Sequence, residues 1–267
     1  MKIWEIMSKL VFIIATILFS LNLYSQTGWQ RLITNPSYIQ ISTHFSDANI
    51  GIIVGYDGLI LKTTDGGSNW TNLFAGDYNW SDVVMLTKDN IIIVGESAAI
   101  KRSTDGGTNF ITVQGSQGIY HPPKLCKLDS VTVVTAYGNS FNTTYYKSTN
   151  SGVNWSSTVV QNLAQNYIFF LSKNTGWISG SYEDGPPYFY NYLRVFRTSN
   201  SGTTWALIHS SISNAVTSGT FCFRTPSDGY WQHETSGTLK ITNNGGVNWS
   251  NYSIGSNQYI TSMFFKS

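Results

Sequence analysis

Charge is the first thing that this sequence has little of. Asp, Glu, Lys and Arg make up 11% of its 267 residues, less than half of the roughly 25% that is usual in soluble proteins. The 16 basic and 14 acidic residues nearly cancel, leaving a net charge of +2. Because nucleic-acid binding depends on a basic surface, we predict no nucleic-acid partner.

The chain is equally poor in residues that form disulfides or hold metals. Its two cysteines, Cys126 and Cys222, exclude a disulfide-rich scaffold and a cysteine-based zinc cluster. Its four histidines share no metal-ligand spacing. No helix follows its Asp-Gly-Gly turns, so these turns are not phosphate loops. We therefore predict no metal and no cofactor, and we expect both cysteines to be buried free thiols.

The N-terminus is typical of a signal peptide. Lys2 and Lys9 precede an almost entirely apolar run, Leu10–Leu23, and the small Ser25 follows. The run is shorter than the roughly 20 residues of a membrane span. We predict a signal peptide at residues 1–25, cleaved after Ser25, and a secreted, periplasmic or cell-surface protein without a stable membrane span after cleavage. An uncleaved anchor is the alternative.

One eight-residue pattern occurs five times in the remaining sequence, and it decides the fold. Each copy fits [S/T]-x-[D/N]-x-G-x-[N/T]-[W/F] without a gap, and successive copies are about 40–50 residues apart. We call each copy a box. The boxes are Thr63–Trp70, Ser103–Phe110, Ser148–Trp155, Thr198–Trp205 and Thr242–Trp249.

The chemistry of the box is that of a turn. Its third residue accepts hydrogen bonds from nearby backbone N–H groups, its fifth residue is a glycine suited to a positive φ, and its aromatic residue begins the next strand. Calcium binding would need more than one carboxylate per loop. We therefore assign a structural role to Asp65, Gly67, Trp70, Asp105, Gly107, Phe110, Asn150, Gly152, Trp155, Asn200, Gly202, Trp205, Asn244, Gly246 and Trp249.

Short runs of β-branched and aromatic residues surround each box, and no convincing helical period is present after the N-terminus. Four strands per repeat of this length are typical of a propeller blade. We predict an all-β fold: residues 26–267 form a β-propeller of four-stranded blades, five recognisable and a sixth incomplete. Trp29–Ile33 resembles an outer strand without its box, and Tyr259–Lys266 an isolated inner strand. We expect a C-terminally truncated chain; imperfect closure and a smaller ring are alternatives.

The repeat resembles the Asp-box, or BNR, repeat of sialidases, sortilin-type receptors, xyloglucanases and photosystem II assembly factor-like proteins. The resemblance covers residues 28–267, and Gly58–Trp70 (GLILKTTDGGSNW) is most similar to the assembly factor-like group. It implies that each box lies between the third and fourth strands of a blade, on the face opposite the binding site.

The residues in the connections on that opposite face are our candidates for ligand binding. They are Tyr56, Asp57, Trp80, Glu96, Tyr120, His121, Glu183, Asp184, Tyr188, Tyr190, His233 and Glu234. The longest insertion, Ser181–Tyr192, combines two acids with four tyrosines and is the best candidate contact loop. The alternative is a solvated loop whose tyrosines pack on their own blade.

An inventory of arginines argues against a sialidase, because the resemblance implies an arginine triad and a Tyr/Glu pair. Arg102 and Arg197 directly precede boxes and are assigned to the framework, which leaves Arg31, Arg194 and Arg224. By repeat alignment Arg224, in an F-R-T-P sequence similar to a sialidase motif, falls on the box face. We therefore predict no catalytic residues.

The predicted function is a secreted non-catalytic propeller that binds a protein or glycan, or assists assembly of a surface or membrane complex. The runner-up is a glycoside hydrolase that uses loop carboxylates. It would pair Glu183 or Asp184 with Glu96 or Glu234, at the separation of about 5–9.5 Å that glycosidases need. A third reading is a fragment of a longer surface protein.

Overall fold

The computed structural model describes residues 39–114, 124–139, 141–185, 190–212, 220–232 and 237–256, together with Gln258, Ile260 and Met263. The chain divides into two units, Met1–Asn35 and Pro36–Ser267. All described residues belong to the second unit. The predicted signal peptide, the strand Trp29–Ile33 and most of the predicted strand Tyr259–Lys266 lie outside the described residues.

Twenty strands form five four-stranded sheets in the described part of the chain, which confirms the prediction of an all-β, blade-based fold. Each sheet uses four consecutive strands, paired in chain order and antiparallel. The strands are, for blade one, β1 (Gln40–Phe45), β2 (Gly51–Gly55), β3 (Ile60–Thr63) and β4 (Thr71–Asn72); for blade two, β5 (Trp80–Met85), β6 (Ile91–Gly95), β7 (Ile100–Ser103) and β8 (Ile111–Gln114); for blade three, β9 (Lys124–Lys127), β10 (Val133–Gly138), β11 (Thr143–Ser148) and β12 (Ser156–Val160); for blade four, β13 (Ala164–Phe170), β14 (Gly176–Glu183), β15 (Asn191–Thr198) and β16 (Ala206–Ile212); for blade five, β17 (Thr220–Phe223), β18 (Gly229–Gln232), β19 (Thr238–Thr242) and β20 (Ser250–Ser253).

The register repeats from blade to blade, including one irregularity. The first strand of a blade carries a bulge near its start in blades one, two and four, at Gln40/Ser42, Trp80/Asp82 and Gln165/Tyr167. A bulge bends its strand and increases the local twist. The first strands are also the ones through which successive blades contact each other, so they form the inner side of the array.

The hydrophobic core lies between neighbouring blades rather than within one. In β6, Ile91 and Ile93 pack toward blade one, whereas Ile92 and Val94 pack toward blade three. Because both faces of a blade are covered, the strand reads as a continuous apolar run instead of an alternating pattern. Between blades four and five the contact is aromatic, and the rings of Trp177 and Phe223 stack with centroids 3.7 Å apart.

All five boxes lie where the sequence places them, between the third and fourth strands of each blade. In the second box, Gly107 N donates to Ser103 Oγ at 2.8 Å, and Asn109 N donates to Asp105 Oδ1 at 2.9 Å. The hydrogen bonds from Asn109 lower the pKa of Asp105 to about 2. The Asn boxes use the same bonds, with Asn154 N on Asn150 Oδ1 at 2.9 Å. The turn needs an oxygen acceptor there, and the charge is optional.

Two consecutive residues of each box have a positive φ, one more than the pattern predicts. The fifth residue is always glycine, with φ between 80° at Gly152 and 96° at Gly246. The fourth is also left-handed in every box, and it is a serine in two of them, Ser151 (φ 61) and Ser201 (φ 59). In the fourth box glycine is required for space as well, because a Cβ on Gly202 would lie 2.2 Å from the Tyr145 ring.

The basic residue before a box fastens its blade to the next one. Its side-chain nitrogen donates to the main-chain oxygen of the fourth residue of the following box, and we call this contact the inter-blade bond. This confirms the framework role predicted for Arg102. The bonds are Lys62 Nζ to Gly106 O at 2.7 Å, Arg102 Nε to Ser151 O at 2.7 Å and Lys147 Nζ to Ser201 O at 3.4 Å.

Blade four uses a different donor for the same purpose. Trp177 Nε1 donates to Gly245 O, the equivalent acceptor in the fifth box, at 3.0 Å. The Arg197 guanidinium lies over the Trp177 ring, 5.4 Å from its centroid. Arg197 thus reinforces the same junction through a cation–π contact, in keeping with its predicted framework role.

The predictions for the two cysteines and for Arg224 can be compared with the structure. Cys126 lies in β9 and Cys222 in β17, and both are free thiols as predicted, but only Cys222 is buried, whereas Cys126 is partly buried. Arg224 lies between β17 and β18, on the box face, where it pairs with Asp228 at 3.1 Å. The five described sheets do not close into a ring. The predicted incomplete sixth blade stays a prediction, because most of its residues lie outside the described part of the chain.

Candidate functional site

The antiparallel order of the strands defines two faces. The boxes and the turns between first and second strands lie at one end of each blade, the box face. The connections between second and third strands, and those from one blade to the next, lie at the other end, which we call the opposite face. Tyr56 and Asp57 (between β2 and β3) and Glu96 (between β6 and β7) lie on this face, as the sequence predicts.

An asparagine that the sequence analysis missed joins two of the candidates. Asn79, in the link between blades one and two, accepts a hydrogen bond from Asp57 N at 2.9 Å and donates to Glu96 Oε1 at 2.7 Å. Its own carbonyl accepts from Glu96 N at 3.1 Å. The Asn79 side chain therefore connects the main chain of Asp57 to the carboxylate of Glu96. The only signal in the sequence is a polar residue directly before an inner strand.

The structure places Trp80 in the core rather than on the surface. Its side chain is fully buried between blades one and two, so the candidate role for its ring is not compatible with its position. Tyr78 covers it, with centroids 5.3 Å apart, and Lys101 Nζ lies 5.0 Å from the Tyr78 centroid. Burial lowers the pKa of Lys101. The accessible aromatic residues here are Tyr56 and Tyr78, 40% and 37% exposed.

The blade-four insertion is a lengthened hairpin. β14 continues to Glu183 and β15 begins at Asn191, so both ends of the predicted loop are strand. Asp184 Oδ1 accepts from Tyr190 N at 2.5 Å, and Asp184 Oδ2 from Tyr192 Oη at 3.3 Å. Glu183 and Tyr190 are exposed, as a contact surface requires.

Two tyrosines of the insertion pack on their own blade, as the alternative reading expects. The Arg194 guanidinium lies 4.1 Å from the Tyr182 ring centroid and 5.5 Å from that of Tyr192. The insertion belongs to blade four, whereas Asp57 and Glu96 belong to blades one and two. The other candidates, Tyr120, His121, Tyr188, His233 and Glu234, lie outside the described residues.

A further carboxylate, Asp82, joins three blades at their inner strands. It accepts a hydrogen bond from Ser42 Oγ of blade one and another from Leu125 N of blade three, the latter at 2.8 Å. Nearby, Lys127 Nζ donates to Met85 O at 2.9 Å. Burial, and then the charge of Lys127, lower the pKa of His44. Both oxygens of Asp82 are occupied, so its role in this geometry is to hold inner strands together.

Within the described part of the chain, no group of His, Cys, Asp and Glu side chains has the arrangement of a metal site. No described helix is long and apolar enough to cross a membrane.

Comparison with known protein families shows which family the chain matches. Residues 21–184, more than half of the chain, match the family model described as photosynthesis system II assembly factor YCF48. The chain belongs to this family. Membership in the YCF48 family confirms the resemblance drawn from the boxes, and it agrees with the choice of the assembly factor-like group. A comparison with curated proteins finds no match.

Comparison with solved structures shows which folds are similar to this one. The WD40 β-propeller domain of Doa1 is similar with a TM-score of 0.59 and 14% identity, over 88% of this chain and 75% of that one. A GH74 xyloglucanase from Xanthomonas campestris is similar with a TM-score of 0.55 and 12% identity, over 78% of this chain and 37% of that one. YCF48 bound to D1 peptide matches with a TM-score of 0.45 and 17% identity, over 82% and 84% of the two chains.

Proposed function

We propose that this chain is a non-catalytic propeller that binds a segment of a partner protein on its opposite face and thereby assists assembly of a surface or membrane complex. The observation that carries the proposal is the match of residues 21–184 to the YCF48 assembly-factor family. A protein of that name has been solved with a D1 peptide bound, which supports a protein segment as the class of ligand.

The geometry of the opposite face supports a peptide ligand. Asp57 and Glu96 carry carboxylates, and hydrogen bonds with Asn79 hold both residues in place. Carboxylates accept hydrogen bonds from the N–H groups of a peptide. Tyr56 and Tyr78 add exposed rings beside them, and tyrosine is enriched at protein interfaces because it combines apolar area with a polar end. A glycan is the other ligand class that such a surface can recognise.

We also propose that the protein works outside the cytoplasm. The support is the sequence of residues 1–25, with its charged start, apolar run and small Ser25. N-terminal sequencing of the protein recovered from the envelope or medium of the producing cell tests this directly. A chain that begins at Gln26 agrees with the proposal, whereas a cytoplasmic chain that still begins at Met1 contradicts it.

Site-specific photo-crosslinking tests the partner and the face together. A photoreactive residue at Tyr56, on the opposite face, is compared in the living cell with one at Val131, which is 43% exposed on the box face. We expect a discrete protein adduct from position 56 and none from position 131. Asp57→Asn combined with Glu96→Gln should reduce that adduct, whereas Asp89→Asn, an exposed acid on the box face, should not.

A glycan array probed with the same variants separates the two ligand classes. Binding to glycans that depends on Asp57 and Glu96, together with no protein adduct, would replace the protein partner by a carbohydrate. Adducts only from position 131 would move the binding surface to the box face and refute the proposal.

A further inference from the structure

A groove runs along the outer side of the array between blades three and four. Its volume is about 480 Å³, within the range of roughly 300–1,000 Å³ for ligand sites. One wall is β12 and the residues that follow it, including Val159, and the other is formed by β15 and β16, including Phe196 and Leu207. Trp205 of the fourth box lies at one end and Asn162 at the other. The groove is therefore distinct from the opposite-face surface around Asn79.

The groove has an apolar middle that is open to solvent. Val159 is 50% exposed and Leu207 48% exposed, and Phe196, which belongs to the core, also lines the groove. Exposed apolar residues are ordinary when they occur singly, but several that line one concave surface indicate a contact site. This middle section suits an apolar side chain.

One charge lies at the groove, and no acid accompanies it there. Among the described residues that line the groove, Arg194 is the only charged one. Its Nη1 atom donates to Asn162 O at 3.1 Å, and the Tyr182 ring lies under its guanidinium. None of the ion pairs within the described part of the chain includes Arg194. The guanidinium is thus held in place by a neutral carbonyl and a ring rather than by an ion pair.

Two side chains in the walls also have an N–H group without a described partner. Arg194 Nε and Trp205 Nε1 are buried without a hydrogen-bond partner among the described residues. The equivalent box tryptophans behave differently, since Trp70 and Trp155 donate to Gly67 O and Gly152 O within their own boxes. A fixed guanidinium without a described ion-pair partner favours an occupant that carries a carboxylate, because a carboxylate matches the guanidinium fork best.

We propose that this groove binds a short extended peptide segment of a partner protein that carries an acidic side chain next to an apolar one. The carboxylate pairs with Arg194, and the apolar side chain packs against Val159, Phe196 and Leu207. The site does not depend on the function proposed for the opposite face, because it shares no residue with that surface.

A random heptapeptide library displayed on phage, selected against the full-length chain, provides the probe. We expect the selected peptides to contain Asp or Glu within two positions of Leu, Ile, Val or Phe. Resynthesised peptides in which Asn or Gln replaces the acid should bind about tenfold more weakly, as the loss of a charge-assisted hydrogen bond implies. A selection that yields no such peptides overturns the proposal.

Variants of the protein assign the binding to the groove. Arg194→Gln should weaken binding about tenfold, and Leu207→Gln about threefold or more. Arg224→Gln and Ile111→Gln are the controls, since the first changes another arginine and the second another exposed aliphatic residue, both outside the groove, and neither should alter binding.

A loss of binding must be distinguished from a loss of folding. Circular dichroism checks each variant, and because half of Leu207 is exposed, Leu207→Gln remains informative even if Arg194→Gln fails to fold. Peptides whose affinity is unchanged by Leu207→Gln and Arg194→Gln overturn the proposal. Peptides lost instead with Asp57→Asn and Glu96→Gln overturn it too, and they would support the opposite face as the peptide site.

Discussion

Trp177 is the residue whose substitution we expect to destabilise the junction between blades four and five most strongly. Its ring is fully buried, stacks on Phe223 with centroids 3.7 Å apart, and donates its N–H to Gly245 O at 3.0 Å. Trp177→Ala therefore removes the stacked ring, leaves a cavity and orphans a main-chain carbonyl of the fifth box in one step.

The size of the effect follows from these three losses. Truncation of a buried aromatic side chain to alanine costs about 3–5 kcal/mol, and an orphaned buried acceptor places this case in the upper part, about 4–5 kcal/mol. For a domain of this length, about 2–4 °C of melting temperature is lost per kcal/mol, so we expect the melting temperature to fall by roughly 8–20 °C.

The distribution of the effect is the sharper test. In a repeat protein each unit contacts only its neighbours, so damage at one junction should stay local. Hydrogen exchange measured by mass spectrometry should accelerate first in β18 and β19 of blade five, while β2 of blade one keeps its protection.

Ile93→Ala serves as the control, because Ile93 is fully buried at the junction between blades one and two. It should accelerate exchange in those blades instead. A melting temperature lowered by less than about 3 °C, or equal acceleration in all blades from both variants, would show that the junctions are not independent units and would refute the reasoning.

Three further outcomes are expected. Gly202→Ala, which forces a Cβ into an aromatic ring of blade three at a positive φ, should lower the melting temperature by several degrees, whereas Gly185→Ala, with nothing within 4 Å, should not. Burial raises the pKa of Cys126 to about 12 and that of Cys222 to about 11, so both thiols should resist iodoacetamide at pH 8 until the chain is denatured; rapid labelling of the native protein would contradict these raised pKa values. Asp105 has a pKa lowered to about 2 in the folded state, so the stability that its charge contributes is present above about pH 4 and is lost as the pH falls toward 2; Asp105→Asn should fold normally at pH 7 and show less acid sensitivity in urea titrations across that window than the parent chain.

The boxes made most of the fold predictable. Their spacing gives the number of recognisable blades, and the position of the aromatic residue gives the start of the fourth strand in each. The reason is physical: hydrogen bonds such as Asn109 N to Asp105 Oδ1 are local, spanning four residues, so the pattern that forms them is visible as a short motif. β2 (Gly51–Gly55) and β6 (Ile91–Gly95) are short apolar runs that each end at a glycine, so their extent is also visible in the sequence.

The candidate site was less predictable, because its contacts join residues that are far apart in the sequence. Trp80 follows a connection on the correct face, and only the packing of the neighbouring blade shows that its ring is covered. Asn79 looks like an ordinary polar residue of the repeat. Its importance comes from bonds to Asp57 and Glu96, 22 and 17 residues away, and no local pattern records them.

Left-handed serines show a second limit of the pattern. Glycine at the fifth position of a box signals a positive φ, and we expected that. The fourth position is equally left-handed, yet Ser151 and Ser201 occupy it. Such residues cost more in this conformation than glycine does, so the requirement cannot be read from the residue type. The inter-blade bond to the carbonyl of that same residue shows what the conformation provides.

The inter-blade bond also limits how such an array can be lengthened, shortened or rearranged. Its donor precedes one box and its acceptor lies inside the next, as with Lys62 and Gly106, so the second and third repeats each carry the acceptor of one bond and the donor of the next. Removing or duplicating one whole repeat among the first three leaves each basic donor facing the acceptor of a following box. A cut at any other length leaves a Lys or Arg side chain without its acceptor at the new junction. Whole repeats are therefore the natural modules of this chain, and designed chimaeras with other propellers should be joined at equivalent points of successive boxes.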